Sequence, residues 1–242
     1  IYGFSGGTGM YAMTGYPVGV FKAQVAERDP QGRIVVSAAN GLPQPASDYA
    51  IIGDMNNRYQ MGVSTRFSYK GVSLSADFDI RKGGIMFSRT KDINYFTGNA
   101  IQTTYNDRNN FIVPNSVNKI KDDAGNVTYV ENTTPISTAN YYAYWGNGGT
   151  DLGSFSLVDK SYVKLRSLVL SWDLPRKWLV KTPLQGVQVS AYGNNLFLWT
   201  PSSNTFIDPE TTSFGNDLAG NFGEYTANPS SRVFGFNLKV KF

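Results

Sequence analysis

The 242-residue chain contains no cysteine and no histidine. The first absence excludes a disulfide framework and any thiolate metal site. The second excludes His-based acid–base catalysis and argues against a catalytic zinc centre. Charge is scarce as well: Asp, Glu, Lys and Arg make up 17% of the residues, against about a quarter in ordinary globular domains. The net charge of +4 comes from cations scattered one or two at a time. That lacks the clustered basic stripe of a nucleic-acid binder, so no nucleic acid is expected as a partner. No apolar run reaches the roughly 18 residues of a membrane helix, and no signal peptide is visible. A β-type membrane span leaves a much weaker trace per segment and stays open. The chain also begins at Ile1 without a Met, inside a Gly/Tyr-rich stretch, and is expected to be a piece of something longer.

What is plentiful is aromatic and small polar: 15 Tyr, 15 Phe and 4 Trp among many Asn, Ser, Thr and Gly, a mixture suited to strands with wet loops. In residues 57–70 Asn57, Tyr59, Met61, Val63, Thr65, Phe67 and Tyr69 alternate with Arg58, Gln60, Gly62, Ser64, Arg66, Ser68 and Lys70. This period of two predicts a strand. After a tight turn at "YKG", Val72, Leu74, Ala76, Phe78 and Ile80 alternate with Ser73, Ser75, Asp77, Asp79 and Arg81, completing an antiparallel hairpin. Further strands are expected over 161–174, 185–198 and at the end of the chain, where Phe234, Phe236, Leu238, Val240 and Phe242 share one face. In 161–174 the apolar phase breaks between Leu165 and Leu168; either a bulge near Ser167 reconciles the two halves or the first half lies beyond the apolar slab. Residues 1–16 lack periodicity and read as loop, while "VGVFKAQV" and "RIVVS" are short extended pieces. "DDAGNVTY" reads as a local hairpin turn inside an otherwise patternless stretch from 84 to 160.

Each long strand is about 12 residues, twice the usual length and enough to cross a bilayer at a tilt. Short connections (70–71, 175–184) alternate with long ones (84–160, 199–230), placing the long loops on one side. Tyr59, Tyr69, Trp172, Trp178 and Trp199 could belong to interfacial girdles; a soluble β-domain would use them as core or edge aromatics. Five strands cannot close a barrel, whose smallest members use eight. A membrane sheet of this kind is therefore expected to belong to a larger one.

"YPVGVFKAQVAERDPQGRIVV" (16–36), "GDMNNRYQMGVSTRFSYKGVSLSADFDIRKGG" (53–84), "FSLVDKSYVKLRSLVLSWDLP" (155–175), "VSAYGNNLFLWT" (189–200), "DPE" (208–210) and the terminal "FGFNLKVKF" (234–242), in that order, carry a resemblance over nearly the whole chain. The set resembles the C-terminal portion of SusC/RagA-type TonB-dependent outer-membrane transporters of Bacteroidetes. The resemblance implies an all-β fold: antiparallel strands of a large outer-membrane transporter β-barrel, as a C-terminal fragment. Residues 1–56 would form an extracellular-side loop region with short extended pieces, and 57–242 the last five or so barrel strands with their long extracellular loops. It implies active import of oligosaccharides or peptides, a SusD-like surface lipoprotein as lid, and energy from TonB–ExbB–ExbD through a plug domain that this sequence lacks. No enzyme activity, metal or cofactor is expected, and the location implied is the bacterial outer membrane. The alternative from a different class is a secreted or surface carbohydrate-binding β-sandwich, soluble without detergent.

Candidate residues follow from the faces and loops. Arg58, Gln60, Arg66, Asp77, Asp79 and Arg81 fall on the polar, lumen-facing side. Asp77 and Asp79 share that face like a glycosidic acid–base pair, but the nearby arginines offer plain neutralisation, so no catalytic residue is assigned. In the long loops Tyr144, Trp145, Asn147, Asp151, Trp199, Asn204 and Asp208 combine aromatic faces with amides and carboxylates, the chemistry that grips a sugar or a peptide. Loop packing or contact with the lipoprotein is the plainer role for any one of them. Phe242 ends the last strand in phase with Phe234 and Phe236, and the resemblance implies a terminal aromatic read by the outer-membrane assembly machinery.

Overall fold

In the computed structural model the described residues are 2–4, 8–146, 152–215 and 217–242. In chain order the strands are β1 (Tyr2–Phe4), β2 (Thr8–Tyr11), β3 (Val20–Ala23), β4 (Ile34–Val36), β5 (Ala50–Asp54), β6 (Tyr59–Tyr69), β7 (Val72–Lys82) and β8 (Ile85–Ser88). Helix α1 (Arg89–Phe96) follows, then β9 (Ser116–Lys121), β10 (Val127–Glu131) and helix α2 (Thr138–Gly146). The remainder is β11 (Leu157–Asp159), β12 (Tyr162–Asp173), β13 (Gly186–Trp199), β14 (Gly223–Glu224) and β15 (Val233–Lys241), with short 3₁₀ segments between elements. The chain divides into two compact units, one of Ile1–Asn56, Ile85–Val158 and Thr212–Ala227, the other of Asn57–Gly84, Asp159–Thr211 and Asn228–Phe242.

The first unit holds three small sheets, ordered β1-β2-β3-β5, β10-β9-β4 and β11-β8-β14. Its main core gathers Met10, Phe21, Ala23, Phe87, Leu157 and Phe222. The Phe222 ring stacks on Phe21 at 5.6 Å and on Phe87 at 5.2 Å. Helix α1 has only eight residues, too few to stand alone in water. Its N-terminus is held instead by tertiary partners. The Ser88 hydroxyl accepts from the Lys91 amide at 3.1 Å. The Glu224 carboxylate, fully buried, accepts from Ser88 Oγ (2.6 Å), Thr90 N (2.9 Å) and Thr90 Oγ1 (2.8 Å). A carboxylate at a helix N-terminus also meets the positive end of the dipole.

The second unit is one antiparallel sheet ordered β15-β13-β12-β7-β6. Its strands run 9, 14, 12, 11 and 11 residues, close to the expected spans. The β6–β7 turn places Lys70 at φ 47° and Gly71 at φ 84°, the two left-handed positions that a type I′ hairpin needs. The phase break in β12 is a bulge: Leu165 pairs with Phe78 and Ser167 with the next residue, Asp77, leaving Arg166 as the extra residue. Leu165 and Leu168 thereby share a face, as the sequence pattern required.

The expectation of an all-β barrel chain is overturned. The protein is mixed, with helices α1 and α2 in the first unit, and all its sheets are open rather than closed. The physical reason lies in 84–160, which is not a structureless loop. It carries both helices and β8 to β11, but these are short and take their stability from packing rather than periodicity. Residues 2–4 and 8–11, also expected as loop, are strands β1 and β2. The β-sandwich alternative is not the arrangement of the second unit, which among the described residues is a single five-stranded sheet rather than two stacked ones.

Candidate functional site

Register decides which side chains share a face. On one side of the five-stranded sheet stand Tyr59, Met61, Val63, Phe67 and Tyr69 of β6, and across from them Ile80, Phe78, Leu74 and Val72 of β7. The same side continues through Val163, Leu165, Leu168, Leu170 and Trp172 of β12, then Trp199, Phe197, Ala191 and Val189 of β13. It ends with Phe234, Phe236 and Leu238 of β15. A buried core face would leave these near zero exposure. Here Phe67, Tyr69, Phe234 and Phe236 are 70%, 71%, 73% and 85% exposed. A contiguous apolar surface of this extent marks an interaction with a partner or a membrane. Aromatics mark both ends: Tyr69, Trp172 and Trp178 by the short turns, Tyr59 and Trp199 at the opposite end.

The other face is polar and carries a connected ion-pair network. Lys164, only 1% exposed at its side chain, donates to Asp208 Oδ2 at 2.6 Å and to Glu210 Oε2 at 2.7 Å. The bulge turns Arg166 to the same side, where its guanidinium meets Asp79 at 2.6 Å and also Glu210. The single proton of the Tyr162 hydroxyl is shared between Asp79 (2.9 Å) and Glu210 (3.0 Å), and Ser230 Oγ donates to Asp208. Burial alone would raise the Glu210 carboxyl, but Arg166, Lys164 and Tyr162 outweigh it and hold the group at about 2. A carboxylate so stabilised is a poor proton acceptor at neutral pH. The network therefore fastens the 208–210 turn to β12 rather than equipping it for acid–base chemistry.

Beside the network lies a cavity of about 460 Å³ whose walls include Lys164, Asn195, Asn204, Phe206, Asp208 and Arg232. Asn204 is fully buried; its Oδ1 takes the Ile207 amide at 3.3 Å, and Thr200 Oγ1 donates to its carbonyl. The Arg232 guanidinium has no ion-pair partner among the described residues.

Of the loop residues expected to bind substrate, the structure brings only Asn204 and Asp208 together. Trp199 lies on the apolar face, its ring stacked on Phe197 at 5.6 Å. Tyr144 and Trp145 sit on α2 in the other unit. The Tyr144 hydroxyl donates to the Pro43 carbonyl at 3.0 Å, and Trp145 packs on Phe155 at 5.3 Å within a chain of aromatic contacts. Asn147 and Asp151 lie outside the described residues. On the sheet, Gln60, Arg66, Asp77, Asp79 and Arg81 do share the polar face. Asp79 is neutralised by Arg166, not by the nearby strand arginines. Arg81 lies over the Tyr162 ring at 5.0 Å, Asp77 makes no ion pair among the described residues, and Arg58 sits just before β6. Phe242 is 78% exposed. Tyr162, Lys164, Arg166 and Glu210 were not anticipated. Their one signal was the broken phase around residue 166, since a bulge re-aims a side chain.

In the first unit Asp92 of α1 is buried and its neighbour Lys91 is half-buried. Burial pushes the Asp92 carboxyl up to about 6 despite the Ser156 hydroxyl at 2.7 Å, and pushes the Lys91 ammonium down to about 8.

No family model matches the chain. A protein of Formosa agariphila, TonB-dependent receptor P3, is 26% identical over 239 residues, which is 97% of this chain and 21% of that receptor. Among solved structures, the RagAB peptide importer in its closed-closed state matches all of the chain with a TM-score of 0.54 and 16% identity, over 25% of its own chain. The structure of the RagAB peptide transporter matches 98% of the chain with a TM-score of 0.52 and 18% identity, over 24% of its own. The chain thus spans between a fifth and a quarter of the proteins it matches. It is a distant homologue of TonB-dependent receptors and shares its fold with part of the RagAB importer. The likeness does not assign it to the C-terminal end of such proteins.

Proposed function

We propose that the chain serves, without catalysis, as part of a TonB-dependent importer of the bacterial outer membrane. The apolar face of the five-stranded sheet lies against lipid, and the polar face, with its ion-pair network and cavity, turns towards the substrate path. The two-faced sheet is the observation that carries this. From the level of Val163 and Trp199 to that of Trp172, the apolar face spans about ten residues of β12, or roughly 30 Å along the strand. At the usual strand tilt of about 40°, this projects onto roughly 23 Å, against an apolar band of about 25 Å in outer-membrane β-proteins. The open edges, β6 and β15, are compatible with lipid only where other parts of the importer pair their backbone groups.

The cargo in this reading is an oligosaccharide or a peptide, and the homology to a TonB-dependent receptor supports a TonB–ExbB–ExbD energy source. The fold shared with a peptide importer favours peptide over oligosaccharide, and the partner in this reading is the SusD-like lipoprotein that the sequence resemblance implies. Asn204 and Asp208 are the loop residues retained as substrate contacts, because both line the cavity.

Tryptophan fluorescence tests the orientation. With the chain carried in the full-length importer, reconstituted in vesicles with the importer's other tryptophans replaced, brominated lipid should quench variants retaining only Trp172 or only Trp199, whereas a variant retaining only Trp145 should respond little. Equal quenching of all three by aqueous acrylamide, with no effect of brominated lipid, would reject the membrane placement.

A further inference from the structure

The short-turn end of the five-stranded sheet carries charge of almost one sign. Strand register places Tyr69, Val72, Trp172, Val189 and Leu238 at one level. Past that level stand six cations: Lys70, Arg176, Lys177, Lys181, Lys239 and Lys241. The one acid there is Asp173, whose Oδ1 accepts from Gln188 Nε2 at 2.8 Å. None of the six cations forms an ion pair among the described residues. Towards the opposite end acids and bases are mixed, and Lys164 and Arg166 are held by Asp79, Asp208 and Glu210.

Four of the six are tied to the aromatic rim of the apolar face. The Lys70 ammonium lies 5.1 Å from the centre of the Tyr69 ring, which belongs to that face. Arg176 and Lys177 precede Trp178 in a 3₁₀ turn that folds back on the sheet, so that the Trp178 ring meets the Trp172 ring edge-on at 5.5 Å. Lys181 follows in the same connection, and Arg176 lines a cavity of about 400 Å³ with Leu179, Val180 and Leu184. Trp178 and Val180 remain 57% and 79% exposed. A free anion would leave these apolar groups in water. A phospholipid supplies both kinds of contact, a hydrocarbon boundary for Trp178 and Val180 and a phosphate just above it. The headgroup layer is roughly 5–7 Å deep on each side of the hydrocarbon, within reach of Lys and Arg side chains rooted at the rim. Such attraction needs no preformed pocket, because it comes from the summed field of clustered cations near a charged surface.

We propose that this rim is a binding surface for anionic phospholipid. Lys70, Arg176, Lys177 and Lys181 meet the headgroup phosphates, while Trp178 and Val180 enter the hydrocarbon boundary. Lys239 and Lys241 alternate onto the polar face of β15, so they add to the field without touching lipid. The inference rests on the lipid-facing reading of the sheet and deepens it: one end of the apolar face selects lipid by charge, and the other does not.

Selective quenching in vesicles tests this. The full-length importer carrying this chain, with Trp178 as its only tryptophan, is reconstituted in mixed phosphatidylglycerol and phosphatidylcholine, and one of the two lipids is brominated at the same low mole fraction. Brominated phosphatidylglycerol should quench Trp178 more than brominated phosphatidylcholine, as if its local fraction were about fivefold the bulk value. The excess should shrink in 1 M salt, where the screening length falls to about 3 Å. It should vanish when Lys70, Arg176, Lys177 and Lys181 are all replaced by Gln. A protein retaining only Trp199, at the opposite end, should show no preference between the lipids. The salt series and the Trp199 comparison need none of these cation replacements, so they decide the matter even if that variant folds poorly. Equal quenching of Trp178 by both lipids would overturn the inference and leave the membrane placement standing, whereas quenching by neither would overturn both. An excess that survives the four replacements, or one equally large at Trp199, would also overturn it.

Discussion

Lys164 and Glu210 show how a buried charge is tolerated in the second unit. Moving an ammonium out of water costs several kcal/mol, and only close partners offset it. Lys164 has two carboxylates within 2.7 Å, and Arg166 shares one of them with Asp79. Glu210 is the residue common to both cations. Glu210→Gln leaves Lys164 with Asp208 alone and Arg166 with Asp79 alone, and should cost about 2–3 kcal/mol at pH 7, measured by urea unfolding in detergent. The pH dependence has a fixed sign. The folded pKa of about 2 lies below the ordinary glutamate value of 4.5, so this contribution is fully present above pH 4.5 and is lost as pH falls through 2. The stability gap between wild type and Glu210→Gln should accordingly narrow on acidification. A gap that stays constant down to pH 2 would show that the carboxylate is not held by its cations.

Among the elements, the β6–β7 hairpin is specified most locally. Lys70 and Gly71 both have positive φ, and a Cβ on Gly71 would also approach the Asp173 carbonyl oxygen to 3.1 Å. Gly71→Ala should therefore destabilise the sheet by about 1–2 kcal/mol, read as a lower urea midpoint, whereas Lys70→Asn should be neutral or stabilising because Asn tolerates the left-handed region. A Gly71→Ala protein as stable as wild type would contradict the turn geometry. The same contrast explains what was legible in the sequence. The five long strands, the turn at 70–71 and the bulge near 167 were readable because each is written in a period of two over ten or so neighbouring residues. Helix α1 was not, because its cap is completed by Glu224, far along the chain from Thr90. Helix α2, "TANYYAYWG", was not, because its aromatics contact Tyr95, Phe111 and Phe155 rather than forming an amphipathic stripe. At the candidate site Asn204 and Asp208 were legible as polar residues in a long loop. Lys164 was not, because alternation marks a face as polar without saying that a turn 44 residues later will bury it.

At the scale of the whole molecule, the decisive feature is how differently the two faces of one sheet would respond to the same charge. Phe236 and Asn237 are neighbours on β15, and alternation sends their side chains to opposite sides. Both are exposed, so in water an arginine at either position would be nearly neutral, within about 0.5 kcal/mol. Against lipid the outcomes separate. An arginine on the hydrocarbon side costs about 2–4 kcal/mol near the bilayer midplane, while one on the wet side costs little. Phe236→Arg should sharply reduce the amount of chain recovered in outer membranes, and Asn237→Arg should leave it near the wild-type level. Phe67→Arg and Ser68→Arg on β6, at the opposite edge of the sheet, should repeat the contrast, because Phe67 shares the apolar face and Ser68 the polar one. Equal recovery of all four variants would mean that the apolar face meets water or another protein rather than lipid, and the proposed role in outer-membrane import would lose its structural support.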